Sequence, residues 1–208
     1  METIGTLLFL GTILGVLGCL VYMIYTLVTH RVRRTLVCLL GLGVWLGIYT
    51  LIMIAVSLAT PQTVLVKGQE HCFDEMCFSV TDVMTMRTVG TGTQQQTAQG
   101  IYYIVTVQLR NAARQTPQKP DHPTLYLVDR AGHQYDSFSR GQTIIGQSPQ
   151  WDRRLQPGEV QARAVVFDVP LEVQQPHLVV AEGSWPTPLI IGDENSLFHP
   201  KTEFSLAL

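Results

Sequence analysis

Two short stretches bring together residue types that could ligate a metal or form a covalent bond. In the first, Cys72 and Cys77 are separated by four residues and preceded by His71. If the chain turns through Asp74 and Glu75, the two thiols come close enough for a local disulfide. With His71 they would instead offer three metal ligands, but a second ligand pair at zinc spacing is absent, so a disulfide is expected. In the second stretch, Gly192, Asp193, Glu194 and Asn195 precede His199. Clustered side-chain oxygens of this kind can hold calcium. The spacing completes no calcium loop, and Asp, Glu and Asn beside Gly are ordinary turn formers, so the stretch reads as an exposed turn and no metal is expected.

Other pieces only imitate catalytic motifs. Gly146, Gln147 and Ser148 begin like a nucleophile elbow, yet the second glycine is missing; Gly90 and Gly92 lack the third glycine and the following helix of a nucleotide site. The six histidines (His30, His71, His122, His133, His177 and His199) are scattered without paired spacing. No cofactor is expected and no enzymatic activity. A formal net charge of -2, with most Lys and Arg residues dispersed along the chain, also argues against nucleic acid as a partner.

The elements that must carry these residues begin with two apolar runs, 4–28 and 36–59, joined by a loop over 29–35. Neither run holds an Asp, Glu, Lys or Arg. A hydrocarbon layer of about 30 Å needs roughly 20 residues of helix, so both are expected to span a bilayer as a hairpin. Arg31, Arg33 and Arg34 gather in the loop, whereas the start of the chain has no basic side chain and only Lys67 follows soon after Ala59. That asymmetry assigns the loop to the cytoplasm and the rest of the chain, from residue 60 onward, to the other side. The opening lacks the positive charge of a cleavable signal, and Cys19, although set in a lipoprotein-like context, is followed by more membrane helix.

Small residues are spaced so that helix backbones can approach: Gly11, Gly15 and Gly18 in the first run, Gly43 and Gly47 in the second. Gly15 and Gly47 fall at nearly the same depth, which suggests a crossing within the hairpin; self-association into a homo-oligomer is the rival use of the same faces.

After a connector over 60–71 the period becomes that of strands. Ile101, Tyr103, Val105, Val107 and Leu109 share one face, while Thr106, Gln108 and Arg110 share the other, up to the turn former Asn111. The stretch from Gly90 to Gly100 is expected to be a mobile hairpin loop. Further strands are read at 124–129, 134–138, 160–169, 177–181, 189–191 and along the alternation through Phe204, Leu206 and Leu208, with an irregular stretch through Trp151. With no convincing helix beyond the hairpin, residues 72–208 are expected to fold as an antiparallel β-sandwich.

Tyr103 to Asn111, Leu125 to Asp129 with Gly132 and Tyr135, Leu155 to Gly158 and Val166 to Pro170, in that order, resemble the family called domain of unknown function 4352. The resemblance covers about Cys72 to Ala181. It implies an all-β immunoglobulin-like sandwich of the sort found on bacterial exported and surface proteins, and transfers no catalytic residue. The two-helix anchor and the tail over 192–208 depart from the family pattern. The expectation is a multi-pass bacterial membrane protein whose extracytoplasmic domain binds another envelope protein or a surface ligand. An accessory subunit acting through its glycine-rich helices, or a hydrolase using a metal on the tail carboxylates, are the alternatives.

Overall fold

The computed structural model describes residues 2–92, 95–146, 151–183 and 185–207. Ser148, Leu208 and part of the loop after Gly90 lie outside these. The chain divides into two compact units, one of residues 1–61 and 185–200, the other of 62–184 and 201–208. The expected partition placed all of 72–208 in the sandwich and left 60–71 as a connector. Instead a strap over 185–200 belongs with the helices, and the sandwich starts at residue 62.

In the first unit, α1 (Glu2–Val28) and α2 (Val32–Ala59) are apolar on every side and expose most of their Leu, Ile and Val side chains. The turn between them is tighter than expected. The amide of Arg31 donates to the Thr26 carbonyl at 2.8 Å, His30 sits at φ 54°, and α2 already begins at Val32, so Arg33 and Arg34 occupy its first turn. Near the turn, the hydroxyls of Thr26 and Thr35 share a hydrogen bond of 2.8 Å and both residues are buried. A polar pair of this kind joins two helices whose other facing atoms are apolar.

The second unit holds two sheets. One has the order β1 (Val64–Leu65), β9 (Glu203–Ser205), β8 (His177–Ala181), β5 (Thr124–Val128) and β6 (Gln134–Asp136); the other runs β2 (Glu70–Phe73), β3 (Met76–Val89), β4 (Gln96–Asn111) and β7 (Val160–Val169). All pairings are antiparallel except β1 with β9. The core lies between the sheets, where Phe78, Val105, Val107, Leu109 and Phe167 of one meet Leu127, Leu178 and Phe204 of the other. A two-sheet β-sandwich results, as the strand periodicity implies.

Three local differences from expectation have physical reasons. Residues 96–100 are strand, because Thr97 pairs with Thr88 and Gln96 with Val89, so the loop after Gly90 is short. The stretch after residue 138 contains a helix, α3 (Ser139–Ile144). It covers the outer face of the β2-β3-β4-β7 sheet, where Phe138, Ile144 and Ile145 pack on Tyr102, Ile104 and Val166. The Phe138 and Tyr102 rings stack with centroids 5.8 Å apart. Gly141 lets the helix sit close, since a Cβ there would meet the Phe138 ring at 2.7 Å. Finally, the strand read at 189–191 is absent: Thr187–Leu189 forms a 3₁₀ turn, and the prolines at 186 and 188 cannot donate to a sheet ladder.

Candidate functional site

The two cysteines sit opposite each other in the β2–β3 hairpin, where Cys72 pairs with Cys77 and Phe73 with Met76. The two-residue turn is made by Asp74, at φ 51°, and Glu75, which aligns the thiols across the ladder. They are joined in a disulfide with Cα atoms 3.9 Å apart. His71 points elsewhere and packs edge-on against Phe73 at 4.7 Å between centroids. Glu70 lies beside the bridge and takes both Arg110 nitrogens, Nε at 2.9 Å and Nη2 at 2.5 Å. That bidentate bond holds the Glu70 carboxyl below the usual range. Among the described residues, Glu70, Cys72 and Cys77 form the one group of three potential metal ligands whose atoms all lie within 4.8 Å of one another. The disulfide uses the sulfurs and Arg110 uses the carboxylate.

The tail residues do not converge. Asp193 turns its Oδ1 back to the amide of Asn195 at 2.7 Å, and His199 Nδ1 bonds to the Pro200 carbonyl at 2.9 Å. Among the described residues, Asp193, Glu194 and His199 are not gathered into a group of three ligand atoms within 4.8 Å of one another, and the turn read as exposed has residues 193–195 half-buried.

Two carboxylates that sequence reasoning passed over are the more perturbed. Asp129 follows β5 and binds four donors: the amides of Ala131 at 2.8 Å and His133 at 2.9 Å, His133 Nδ1 at 2.9 Å, and the Tyr135 hydroxyl at 3.0 Å. Burial pushes its pKa up, but the bonds from His133, Tyr135 and Ala131 outweigh that and hold it at about 2. The Asp-x-x-Gly pattern of 129–132 carried the signal, since Asp side chains commonly bond their own backbone two residues on. Glu182 follows β8 and is buried, with one oxygen accepting the amide of Asp121. Its Oε2 has no hydrogen-bond partner among the described residues. Burial lifts its carboxyl to about 7, opposed by the Asp121 amide and reinforced by the carboxylates of Asp121 and Asp74. No local pattern announces this residue, because its neighbours come from a hairpin and a loop far away in sequence.

Asn111 is a fully buried polar group. Its side-chain nitrogen donates to the carbonyls of Leu155 at 2.9 Å and Thr116 at 3.1 Å, and its oxygen accepts the Ala113 amide at 2.9 Å. The loops that close this end of the sandwich are thus pinned by one amide. In one open surface depression of the sandwich, about 510 Å³, the Asp168 carboxylate accepts the amides of Gln99 and Gly100.

In the helical unit, Arg31, Arg33 and Arg34 are exposed together at the turn. Gly11, Gly15, Gly18, Gly43 and Gly47 are also exposed, and a Cβ built on any of them would meet no atom within 4 Å. The expected crossing at Gly15 and Gly47 does not occur. The helices approach instead near the turn and at Cys38, whose Sγ lies 3.8 Å from the Cys19 carbonyl.

Similarity to known proteins bears on the sandwich. No curated protein matches the chain. Among solved structures, a conserved hypothetical protein from Bacillus anthracis is 19% identical and has a TM-score of 0.45, over 57% of this chain and 89% of that one. An uncharacterized β-sandwich protein from Clostridium difficile 630 is 12% identical with a TM-score of 0.42, over 71% and 96%. A secreted protein from Mycobacterium tuberculosis, MPT63, is 14% identical with a TM-score of 0.41, over 62% and 94%. The family model named Domain of unknown function (DUF4352) matches residues 66–187, more than half of the chain. Its match spans the sandwich strands from the β2–β3 hairpin through β8, and the chain belongs to the DUF4352 family.

Proposed function

We propose that this protein is a multi-pass membrane protein of the bacterial envelope whose immunoglobulin-like sandwich is held outside the cytoplasm and binds another envelope protein or a surface ligand without catalysing a reaction. The observation that carries the reading is the pair α1 and α2: both are long enough to cross a bilayer, apolar on all sides, and joined by a turn exposing three arginines. The arginines support a cytoplasmic turn, and the Cys72–Cys77 disulfide suits an oxidising compartment for the sandwich. A binding role is supported by how the polar groups are used. Asp129, Asn111, Asp168 and the Glu70–Arg110 pair all hold turns and strands together, a structural use that fits recognition through loops and strand edges.

The test uses cysteines placed at His30 and at exposed Lys119 in the full chain, probed on intact cells with an impermeant thiol reagent. Lys119→Cys should label and His30→Cys should not. Labelling at position 30 with protection at 119 would reverse the topology and remove the reading.

The five exposed glycines favour a second use of the helices, as the contact faces of an accessory subunit or a homo-oligomer. Exchanging α1 and α2 for an unrelated two-helix anchor separates the two. A display module keeps its crosslinked partner after the exchange, whereas an intramembrane subunit loses it.

A further inference from the structure

The strap over 185–200 reverses the normal rule of a water-facing loop. Its exposed residues are Trp185, Pro186, Leu197 and Phe198, all apolar, while Asp193, Glu194 and Asn195 are half-buried and Ser196 is buried. Trp185 is 74% exposed and Phe198 66%, the latter at φ 67°, a left-handed conformation that a bulky side chain rarely adopts. In water, such an arrangement would cost the burial of two aromatic rings and gain nothing.

The strap is also fastened to the helices within its own unit. The Tyr49 hydroxyl donates to the Leu189 carbonyl at 2.6 Å, and the Ser57 hydroxyl to the Leu197 carbonyl at 3.1 Å. At the start of α1, a Cβ on Gly5 would lie 1.9 Å from the Ile191 carbonyl oxygen, so only glycine admits the strap there. These contacts fix its depth. A helix of 28 residues is about 42 Å long, so one centred on a hydrocarbon layer of about 30 Å leaves roughly one turn outside on each side. Tyr49 stands about 15 Å before Ala59 along the axis, well inside that limit.

Irregular backbone survives at such depth only when its polar groups are satisfied internally. Several of the strap's own amides and carbonyls meet this requirement. Leu189 donates to the Pro186 carbonyl at 2.9 Å, Ile190 to Thr187 at 3.0 Å, Ser196 to Asp193 at 3.0 Å and Leu197 to Pro188 at 2.9 Å. Prolines at 186, 188 and 200 carry no amide donor at all.

We propose that residues 185–200 form an interfacial membrane element that dips into the outer leaflet of a phospholipid bilayer, placing Trp185, Leu197 and Phe198 among the lipids. The proposal rests on the reading of α1 and α2 as a membrane hairpin. Tryptophan at such a boundary keeps its ring in the acyl region and its N–H near the headgroups.

The test reconstitutes the full chain in phosphatidylcholine bilayers as two single-tryptophan variants. W45F/W151F keeps only Trp185, and W151F/W185F keeps only Trp45. Trp185 should lose emission to bromines placed on the lipid chains near the headgroup and should resist aqueous iodide. Trp45, inside α2, should lose emission to bromines placed deep in the chains. If Trp45 is quenched from the lipid while Trp185 answers only to iodide, the strap lies in water and the proposal falls although the hairpin stands. If neither responds to lipid bromine, the hairpin reading fails and takes the strap with it.

Discussion

Replacing Glu182 by glutamine should make the sandwich less sensitive to pH, and the direction follows from the site. The folded protein holds this carboxyl at about 7, against 4.5 when it is unperturbed. Between those values the folded chain keeps a proton that the unfolded chain has released, so folding stability falls as pH rises through the window. Below 4.5 the group is protonated in both states and costs nothing. Above 7 the penalty is complete. The gap between 4.5 and about 7, at about 1.4 kcal/mol per tenfold change in proton affinity, amounts to on the order of 3 kcal/mol. Glutamine keeps the shape and the acceptor for the Asp121 amide without the charge. Relative to wild type, Glu182→Gln should therefore gain up to about 3 kcal/mol between pH 4 and pH 8. The assay is urea unfolding of the reconstituted full chain in a W45F/W185F background. Trp151, which packs edge-on against Phe78 in the sandwich, then reports alone. Wild-type and Glu182→Gln stabilities that run parallel from pH 4 to pH 8 would refute the reasoning.

Three further outcomes can be read with the same reporter. Asn111→Ala strands the Thr116 carbonyl and the Ala113 amide and leaves the Leu155 carbonyl with the Gln118 amide alone, and should lower stability by about 1–3 kcal/mol; an unchanged urea midpoint would show that the side chain pins nothing. Changing both Cys72 and Cys77 to Ser should cost about 2 kcal/mol, the loop-closure value for so short a ring, and mass mapping of unreduced protein from the envelope should find the bridge intact. Gly100→Ala places a Cβ 2.1 Å from the Val169 carbonyl oxygen, which forces β4 and β7 apart and should destabilise by about 1–3 kcal/mol; an unchanged urea midpoint would show that the strands separate there at no cost.

How far the residues alone determine the picture depends on whether their partners are local. The alternation from Ile101 to Leu109 reports one core face, and Tyr103, Val105, Val107 and Leu109 do line it. Tyr102 and Ile104 on the opposite face are buried as well, by a helix that starts 37 residues after Tyr102 in the chain, and no periodicity within the strand conveys that. The same limit explains Glu182, whose proton affinity is raised first by burial and then by the carboxylates of Asp121 and Asp74, and the glycines of α1 and α2, whose spacing permits a close crossing without requiring it. Asp129 stands on the other side of the divide. Its donors lie within six residues, so turn chemistry suffices to find it.

The parallel pairing of β1 with β9 has a kinetic consequence. Val64 meets Glu203 and Leu65 meets Phe204, so β9 lies between β1 and β8 yet is synthesised after both. Until it arrives, β8 presents a bare edge and Phe204 is missing from the core. Closing a loop of this length is slow compared with forming the β2–β3 hairpin. A nascent sandwich therefore waits with one sheet split in two, and in that interval the open edge of β8 is where a chaperone would act or a second copy would add on wrongly.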